Sequence, residues 1–271
     1  MGHAVVGYPA QYVMEKCFAA AGLDCRYLTL DVAPQDLEDA VRGMQAMGFR
    51  GGHFTAPHKG PVVPYLPQLT DEARLAGLVN FVYRDPQGQY VGDNTDGKAL
   101  CQCLEGVLKP AGHQVLILGA GEMARAMAVA VALAGAREIH IVNRSVPHGQ
   151  QLADLINEQA QVAAMFFPWN GEYEVPAETD IVVNATSIES SDPGARVPVV
   201  VESLTPRMVV ADVVFNPPRT HLLQEAAQRG CAVIDGLQLL VQQGVIAFKT
   251  WTGVDPDPQV MREALEEYFE L

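Results

Sequence analysis

The sequence has few basic residues for its length. Its 271 residues include 18 Lys+Arg against 32 Asp+Glu, which gives a formal net charge of −14 at pH 7. Nucleic-acid-binding proteins and proteins that dock on anionic membranes need a basic surface, so this balance argues against both kinds of partner. Charged residues make up 18% of the chain and apolar residues 49%, a composition that excludes a disordered protein. The length favours two domains, or one large α/β domain.

Long apolar runs and cysteine-rich patterns are also missing. The longest candidate run, Ala126–Ala136, is shorter than the ~18 apolar residues that a membrane-spanning helix needs. The first residues have neither the basic start nor the long apolar stretch of a signal peptide. The five cysteines are an odd number and form no C-x-x-C pair, which indicates buried thiols and no metal site. We therefore predict a soluble cytoplasmic protein with reduced cysteines.

Short strand patterns alternate with helix patterns over the first hundred residues. Strands are predicted at Ala4–Gly7, Tyr27–Leu30 and Gly51–Thr55, and an amphipathic helix opens at Pro34. Strands that alternate with helices imply β-α-β units, whose strands pair in parallel. The pattern predicts an N-terminal α/β domain with a mainly parallel sheet.

A second block, from residue 114 onward, shows the same alternation with more apolar strands. The predicted strands are Gln114–Leu118, Glu138–Val142, Asp180–Asn184 and Met208–Val214. An Ala-rich helix follows the first of them to about Ala134, and residues 189–196 read as a polar loop. Two further helices are predicted, one from Leu237 and one after Pro258. We expect a Rossmann domain over residues 101–236, and a first domain over residues 1–100 that residues 237–271 complete.

A glycine-rich run matches the dinucleotide-binding pattern G-x-G-x-x-A. It reads Gly119-Ala120-Gly121-Glu122-Met123-Ala124. In this pattern the first glycine allows a tight turn, the second lets the backbone approach a pyrophosphate, and the alanine permits close helix–strand packing. The N-terminus of the following helix adds unpaired N–H groups for the phosphates. Because the run lies between a predicted strand and a predicted helix, we predict a dinucleotide site; a structural turn of small residues is the alternative.

The end of the second strand of this block indicates which dinucleotide binds. NAD-binding folds usually have Asp or Glu there to hold the ribose hydroxyls, whereas this chain has Asn143-Arg144-Ser145. The guanidinium of Arg144 suits a 2′-phosphate, and Asn143 and Ser145 can add hydrogen bonds. An exposed loop arginine is the alternative interpretation. NADP is therefore the expected cofactor, and NAD is less favoured.

Three polar clusters lie outside the nucleotide block, at Thr55–Lys59, Val79–Phe81 and Gly92–Gly97. Each alone also fits a structural role, such as a solvated loop lysine, a turn asparagine or a helix-capping aspartate. Together and in this order they resemble the shikimate dehydrogenase family. The matching runs, which cover essentially the whole chain, are His53–Lys59, Leu78–Phe81, Asn94–Gly97, Gly119–Ala124, Asn143–Ser145, Asn184–Thr186, Asp212–Pro217, Gly236, Gln243 and Trp251–Gly253.

The resemblance implies hydride transfer between NADP and a hydroxyl or ketone carbon of shikimate or a related cyclic hydroxy acid. It also implies that the first domain binds the substrate. Lys59 and Asp96 match the family's catalytic pair, in which the lysine exchanges a proton with the substrate oxygen and the carboxylate holds the ammonium. The implied substrate-binding residues are Thr55, Asn80, Gln243, His53 and Phe215. The implied cofactor-binding residues are Gly119, Ala120, Gly121, Met123, Ala124, Asn143, Arg144, Ser145, Thr186, Val213 and Gly236, and no metal is implied.

The chain departs from the family pattern mainly among the substrate-binding residues. The loop in which two serines of the family hold the substrate carboxylate is replaced by Gly7–Tyr12, which contains no serine. His53 stands in place of an asparagine, and Phe215 in place of a tyrosine. Among the cofactor-binding segments, Glu122 replaces a glycine and His148 stands where a second phosphate-binding arginine often lies. The pattern is most similar to the divergent shikimate dehydrogenase-like branch, which also lacks the paired serines.

Two functions of different classes follow from these observations. One is an active NADP-dependent dehydrogenase, monomeric or homodimeric, that acts on shikimate, quinate or an aminated analogue. The other is an NADP-binding sensor or scaffold with little turnover. The retained Lys59 and Asp96 favour the enzyme, whereas the missing serines favour the second function or a changed substrate. An unrelated reductase of similar layout, such as methylenetetrahydrofolate dehydrogenase, fits less well because it does not explain Asn94–Gly97.

Overall fold

A computed structural model of the chain describes residues 1–5, 7–192 and 194–271. The chain divides into two compact units. The first unit is formed by Met1–Thr95 and Val241–Leu271, and the second by Asp96–Leu240. No helix in the described ranges is long and apolar enough to cross a membrane.

The helices and strands are short to moderate in length. The helices are α1 Ala10–Ala20, α2 Leu37–Ala46, α3 Asp71–Ala76, α4 Thr95–Glu105, α5 Glu122–Leu133, α6 Val146–Leu155, α7 Ile188–Ser191, α8 His221–Gln228, α9 Gly236–Thr252 and α10 Pro258–Tyr268. Short 3₁₀ helices lie at Pro34–Asp36, Val63–Tyr65 and Val201–Ser203, and a π-helical segment at Ile156–Ala160. The strands are β1 Gly51–His53, β2 Gln68–Leu69, β3 Phe81–Arg84, β4 Tyr90–Asp93, β5 Gln114–Leu118, β6 Glu138–Asn143, β7 Ala163–Pro168, β8 Tyr173–Glu174, β9 Ile181–Asn184, β10 Val199–Val200, β11 Val209–Asp212 and β12 Ala232–Ile234.

The second unit is built on a six-stranded sheet in the order β12-β11-β9-β5-β6-β7, with every pairing parallel. Read from β7, this is the strand order 3-2-1-4-5-6 of dinucleotide-binding folds. All residues of β5, β9 and β11 are buried, as expected for strands that helices cover on both faces. The predicted Rossmann fold is confirmed.

Small side chains let the helices of the second unit approach closely. Alanines occupy alternate positions along the buried part of α5, between Ala124 and Ala132. A side chain at Gly97, on α4, would collide with Ala126 and Ala130 of α5. The Ala-rich composition that predicted a helix here therefore also determines how tightly α4 and α5 pack.

The first unit has a four-stranded sheet in the order β1-β3-β4-β2, and its predicted mainly parallel pairing is wrong. The pairs β1–β3 and β3–β4 are antiparallel, and the two-residue strand β2 is parallel to β4. The turn between β3 and β4 is the reason, because a short turn can join only antiparallel strands. Its Asp85 carboxylate accepts hydrogen bonds from the N–H groups of Gln87 (2.9 Å) and Gln89 (2.8 Å).

The predicted strand Tyr27–Leu30 does not form, and the described residues of the predicted strand Ala4–Gly7 are not in a strand. The backbone N–H groups of Tyr27 and Thr29 donate to the side chains of Glu15 (2.7 Å) and Gln11 (2.9 Å), so α1 takes the place of a neighbouring strand. In the predicted strand Ala4–Gly7, Ala4 has a φ of 57°, which is incompatible with a strand, and Val6 lies outside the described residues.

Most of α9 and all of α10 belong to the first unit. Helix α10 packs against α1, where the ring centroids of Tyr12 and Tyr268 are 5.6 Å apart and Lys16 pairs with Glu267 at 2.9 Å. The chain thus leaves the first unit, forms the second and returns to the first.

In the second unit, the prediction of a loop over residues 189–196 is wrong in part, because α7 occupies Ile188–Ser191. The buried Glu189 accepts from the N–H of His221 at the start of α8 (2.6 Å). This polar residue therefore caps another helix.

Candidate functional site

In the first unit, Lys59 follows a turn that begins just after β1. The N–H of His58 donates to the carbonyl of Thr55 (2.8 Å), which closes the turn. The fully buried imidazole of His58 places Nε2 2.9 Å from the carbonyl oxygen of Val32. The carbonyl of Lys59 accepts from the N–H of Val79 (2.8 Å). The half-buried Lys59 is therefore attached to a stretch of backbone that is held from several sides.

Asn80 connects this sheet to the residue before Asp96. Its carbonyl accepts from the N–H of Phe54 (2.8 Å), and its own N–H donates to the carbonyl of Asp93 (3.2 Å). Its side-chain Oδ1 accepts from the N–H of Thr95 (2.8 Å), and Nδ2 donates to the hydroxyl of Thr95 (3.0 Å). Asn80 and Thr95 are both buried. Thr95, which precedes Asp96 in the chain, is thus fixed by the amide of Asn80.

His53, at the end of β1, lies among aromatic rings. Its Nδ1 is 2.8 Å from the hydroxyl oxygen of Tyr27, and its ring centroid is 4.9 Å from that of Trp251 and 5.7 Å from that of Phe81. Burial lowers the pKa of His53 to about 3, and the positive charges of the amino terminus and Lys59 add to this effect. Burial raises the pKa of Tyr27. Both groups are therefore uncharged at neutral pH.

The remaining predicted catalytic and substrate-binding residues are distributed over both units. Thr55 and Gln243, the latter on α9, are half-buried in the first unit. Asp96 lies in the first turn of α4, in the second unit, and is only 2% exposed. Phe215 is half-buried and follows β11 in the second unit.

The glycine-rich run of the second unit lies where the motif predicts it, between β5 and α5. Gly119 has a φ of 110°, and its N–H donates to the carbonyl of Val142 (2.8 Å). A Cβ at Gly119 would lie 3.1 Å from the carbonyl oxygen of Ala185, whereas one at Gly121 would meet nothing within 4 Å. Gly121 is the N-cap of α5, and Ala124 is fully buried in its first turns. The open space at Gly121, next to the N–H groups of the first turn, suits a pyrophosphate.

Asn143, Arg144 and Ser145 lie at the end of β6. The side-chain Nδ2 of Asn143 donates to the carbonyl of Ser145 (2.9 Å), and Ser145 is the N-cap of α6. Arg144 is exposed, as is His148 in the first turn of α6. Because β5 and β6 are parallel neighbours, Arg144 and Gly119 follow strand ends at the same edge of the sheet.

Asn184 and Asp212 organise the ends of β9 and β11. Oδ1 of Asn184 accepts from both the N–H (3.2 Å) and the hydroxyl (2.7 Å) of Thr186, and Nδ2 donates to Asp212 Oδ1 (3.0 Å). The Asp212 carboxylate also accepts from the N–H of Val214 (3.0 Å) and the hydroxyl of Thr220 (2.8 Å). Burial nevertheless raises the pKa of Asp212 to about 6. The network fixes two predicted cofactor-binding segments, at Thr186 and beside Val214.

Gly236 lies against the same segment of the second unit. It is the first residue of α9, and a side chain there would collide with the backbone of Val214. The structure therefore brings Gly236 next to the backbone of Val214 and Phe215, in the stretch that follows β11 and begins at Val213. No group of three His, Cys, Asp or Glu residues in the described ranges is placed to hold a metal ion.

Sequence reasoning missed the supporting residues of this site. Tyr27 has no motif around it, and its contact with His53 joins positions 26 residues apart, so no local pattern could have found it. Asn184 and Asp212 do lie in matching family runs, but their mutual hydrogen bond depends on the pairing of β9 with β11. The signal that could have indicated this bond is that Asn184 and Asp212 each lie at or near the end of a predicted parallel strand, and such strands end at the same edge of a sheet.

Comparison with known proteins matches nearly the whole chain. Residues 5–82 match the shikimate dehydrogenase substrate binding domain, residues 104–215 the shikimate/quinate 5-dehydrogenase family, and residues 236–266 the shikimate 5′-dehydrogenase C-terminal domain. The shikimate dehydrogenase (NADP(+)) of Rubrobacter xylanophilus is 39% identical, over 98% of this chain and 93% of that protein.

Solved structures agree with this result. Ligand-free 5-ketofructose reductase of Gluconobacter sp. strain CHM43 is 43% identical, with a TM-score of 0.95 and coverage of 99% of this chain and 96% of that one. Shikimate 5-dehydrogenase from Thermus thermophilus, in complex with NADP(H) and shikimate, is 30% identical, with a TM-score of 0.82 and coverage of 98% and 97%. The similarity extends over both units of the chain.

Proposed function

The chain belongs to the shikimate dehydrogenase family, and from this premise we propose that it is an NADP-dependent oxidoreductase that transfers hydride to or from shikimate or a related cyclic hydroxy acid. The observation that carries the proposal is that the chain has both Lys59, on a turn held by backbone hydrogen bonds, and the dinucleotide-binding turn at Gly119–Ala124. A sensor without turnover is not favoured, because it would need neither Lys59 nor Asp96.

The residues of the second unit fit NADP. We assign the pyrophosphate to the turn at Gly119–Ala124, where the space beside Gly121 is open. We assign the 2′-phosphate to the exposed guanidinium of Arg144, with Asn143 and Ser145 beside it. Thr186, Val213 and Gly236 are assigned to the nicotinamide end.

We assign the proton chemistry to Lys59 of the first unit and Asp96 of the second. Reduction of a ketone requires a hydride at carbon, which NADPH provides when bound, and a proton at oxygen, which we assign to the ammonium of Lys59. Asp96 is the matching carboxylate of the catalytic pair, and an anionic partner favours the charged form of a lysine. His53 stays uncharged, so it is not the proton donor at neutral pH.

A substrate panel tests this proposal. Shikimate, quinate and aminoshikimate are each offered with NADP and with NAD, and the rates are compared with those of Lys59→Ala. We expect NADP-dependent turnover of at least one acid that Lys59→Ala reduces by about 10²- to 10⁴-fold. If no substrate is turned over faster than by Lys59→Ala, the proposal is wrong.

A neutral ketose is a second candidate substrate. The observation that favours it is the absence of serine from Gly7–Tyr12, where the family holds a carboxylate. Tyr8 is 47% exposed, and α1 begins at Ala10, so the segment is occupied by the start of a helix. The 43% identical 5-ketofructose reductase acts on a ketose by its name. Adding 5-ketofructose to the panel separates the two candidates.

We also propose a cytoplasmic location and a monomeric or homodimeric state. The location is supported by the cysteines, none of which forms a disulfide in the described part of the chain, as a reducing compartment would keep them. Sedimentation of the purified chain distinguishes the two oligomeric states.

A further inference from the structure

Tyr27 and His53 form a hydrogen-bonded pair that the catalytic and cofactor assignments leave unexplained. The pair lies in the first unit, with 2.8 Å between the hydroxyl oxygen and Nδ1. His53 lies two residues before Thr55, another predicted substrate-binding residue, at the end of β1. Burial is the main cause of the lowered pKa of His53, and the positive charges of the amino terminus and of Lys59 contribute to it.

Aromatic rings hold the imidazole in one orientation. The Trp251 ring packs edge-on against His53 with 4.9 Å between centroids, and Trp251 is itself anchored by a hydrogen bond from Nε1 to the carbonyl of Val82 (3.0 Å). Phe81, which lies opposite His53 in the β1–β3 register, packs at 5.7 Å. With Tyr27 bonded to Nδ1, the ring has little freedom to turn, and within the described ranges Nε2 is the nitrogen that remains for a ligand.

The hydroxyl of Tyr27 determines which ring nitrogen carries the proton. In the part of the chain that the structure describes, its hydrogen-bond partner is Nδ1 of His53. A neutral imidazole accepts at Nδ1 from the Tyr27 hydroxyl, because a phenol O–H is the stronger donor and an imidazole nitrogen the stronger acceptor of the two groups. A neutral imidazole that accepts at Nδ1 carries its proton on Nε2. His53 thus offers an N–H donor without a positive charge.

We propose that Tyr27 is a positioning residue that fixes His53 with Nε2–H as an uncharged donor to a substrate oxygen, and that this pair favours a neutral polyhydroxylated ketone over a carboxylic acid. The inference rests on the proposed hydride transfer at Lys59, and of the two candidate substrates of that reaction it favours the neutral ketose.

The chemistry of the pair explains the preference. A carboxylate is bound most strongly by a charged or multiple donor, which an imidazolium or two serine hydroxyls would provide. Here burial keeps the pKa of His53 far below neutral, and Gly7–Tyr12 has no serine. A single neutral N–H suits a hydroxyl or carbonyl oxygen, for which no countercharge is needed.

The first test reads the tautomer without requiring turnover. Nitrogen-15 NMR of the imidazole of His53 in the full chain at pH 7 is expected to show a protonated Nε2 and an unprotonated Nδ1. In Tyr27→Phe, the Nδ1 resonance should shift and both tautomers should be populated. An imidazolium, or a proton on Nδ1 in the unsubstituted protein, would overturn the proposal.

The second test measures specificity. The rates with NADPH are compared for 5-ketofructose and for the ketone form of shikimate, using kcat/KM for each. We expect the neutral ketone to be preferred. Tyr27→Phe should raise its KM by about 3- to 10-fold with a smaller change in kcat, because the tautomer with its proton on Nδ1 cannot donate to the substrate from Nε2. His53→Asn, which retains an N–H donor, should keep most of the preference, whereas His53→Leu should not.

A double variant separates positioning from general structural support. In the His53→Leu background, Tyr27→Phe should have no further effect on KM, because Tyr27 acts through His53. Tyr65→Phe, at an exposed tyrosine of the same unit, is the matched control and should leave both constants unchanged. An equal effect of Tyr27→Phe with and without His53 contradicts the proposal. If Lys59→Ala abolishes turnover but the acid is the preferred substrate, this inference is wrong and the proposed function stands. If turnover is the same in Lys59→Ala, the proposed function is wrong.

Discussion

Sequence patterns predict the structure of the second unit better than that of the first. In the second unit, all pairings of the six-stranded sheet are parallel, and the glycine-rich turn lies between β5 and α5 as its motif predicts. In the first unit, most of the sheet pairing is antiparallel, and the pair Tyr27–His53 has no motif at all. Nucleotide binding depends on backbone shape, which strand and helix patterns predict. Substrate binding depends on side chains from distant segments, which those patterns do not predict.

The largest expected effect separates chemistry from cofactor binding. Lys59→Ala should lower kcat by about 10²- to 10⁴-fold, because it removes the proposed proton donor, while the dissociation constant of NADPH stays unchanged. Steady-state kinetics and fluorescence titration with NADPH measure the two quantities. Lys109→Ala, at an exposed lysine of the second unit, is the control and should alter neither. A weakened NADPH affinity in Lys59→Ala would break the division of roles between the units.

The second prediction concerns the buried Asp212. In the folded protein the pKa of Asp212 is raised from the ordinary value of 3.8 to about 6. Ionisation of this carboxyl group therefore costs more free energy in the folded protein than in the unfolded chain. As the pH falls from 7 through 6, the folded protein takes up a proton before the unfolded chain does, and this group then adds stability. The free energy of unfolding, compared with that of Asp212→Asn, should therefore rise by about 1 to 3 kcal/mol between pH 7 and pH 4.

Urea denaturation at several pH values measures this difference. Asp212→Asn is the suitable reference, because it keeps an Oδ1 acceptor for Asn184 and Val214 while it removes the titration. Groups with lowered pKa values, such as Glu138 and Asp180, lose stability on acidification in both proteins and cancel in the comparison. A constant difference across the pH range would show that Asp212 does not titrate near 6.

The fold of the second unit was largely predictable, and that of the first was predictable only in part. Buried apolar runs such as Gln114–Leu118 and Ile181–Asn184 identify parallel strands, and the structure has them there. The run Tyr27–Leu30 has the same local character, yet its N–H groups bond to side chains of α1. The local sequence pattern indicates that a segment is extended, but which group completes its backbone hydrogen bonds depends on the tertiary structure.

The same limit applies to the candidate site. Gly119 and Lys59 each lie in a short sequence motif with fixed spacing. The dinucleotide turn and the proposed catalytic turn each require particular residue types at fixed distances along the chain. Tyr27 and the Asn184–Asp212 bond depend on segments that meet only after folding. The family resemblance named Asn184 and Asp212 as matching positions without a role, and the structure supplies the hydrogen bonds that explain them.

The third prediction compares two glycines of the nucleotide turn. Gly119→Ala should destabilise the second unit by about 1 to 3 kcal/mol, because a residue with a side chain is strained at a φ of 110°. Gly121→Ala should leave stability unchanged, since its Cβ would meet nothing within 4 Å, but should weaken NADPH binding by filling the space assigned to the pyrophosphate. Urea denaturation and NADPH titration of both variants test this contrast. Unaltered NADPH binding by Gly121→Ala would contradict the assignment.

The smallest expected effect concerns the choice between NADP and NAD. Arg144 is exposed at the end of β6, so its removal should not disturb folding. Arg144→Asp replaces the guanidinium by a carboxylate, which repels a 2′-phosphate and accepts hydrogen bonds from ribose hydroxyls. The ratio of kcat/KM for NADPH to that for NADH should fall by about 10-fold or more, a loss of roughly 1.4 kcal/mol in discrimination. Arg137→Asp, at an arginine placed before β6 rather than after it, is the control and should leave the ratio unchanged. An unaltered ratio in Arg144→Asp would show that other residues bind the 2′-phosphate. The cofactor preference of the second unit would then also depend on residues that no local motif identifies, as substrate binding does in the first unit.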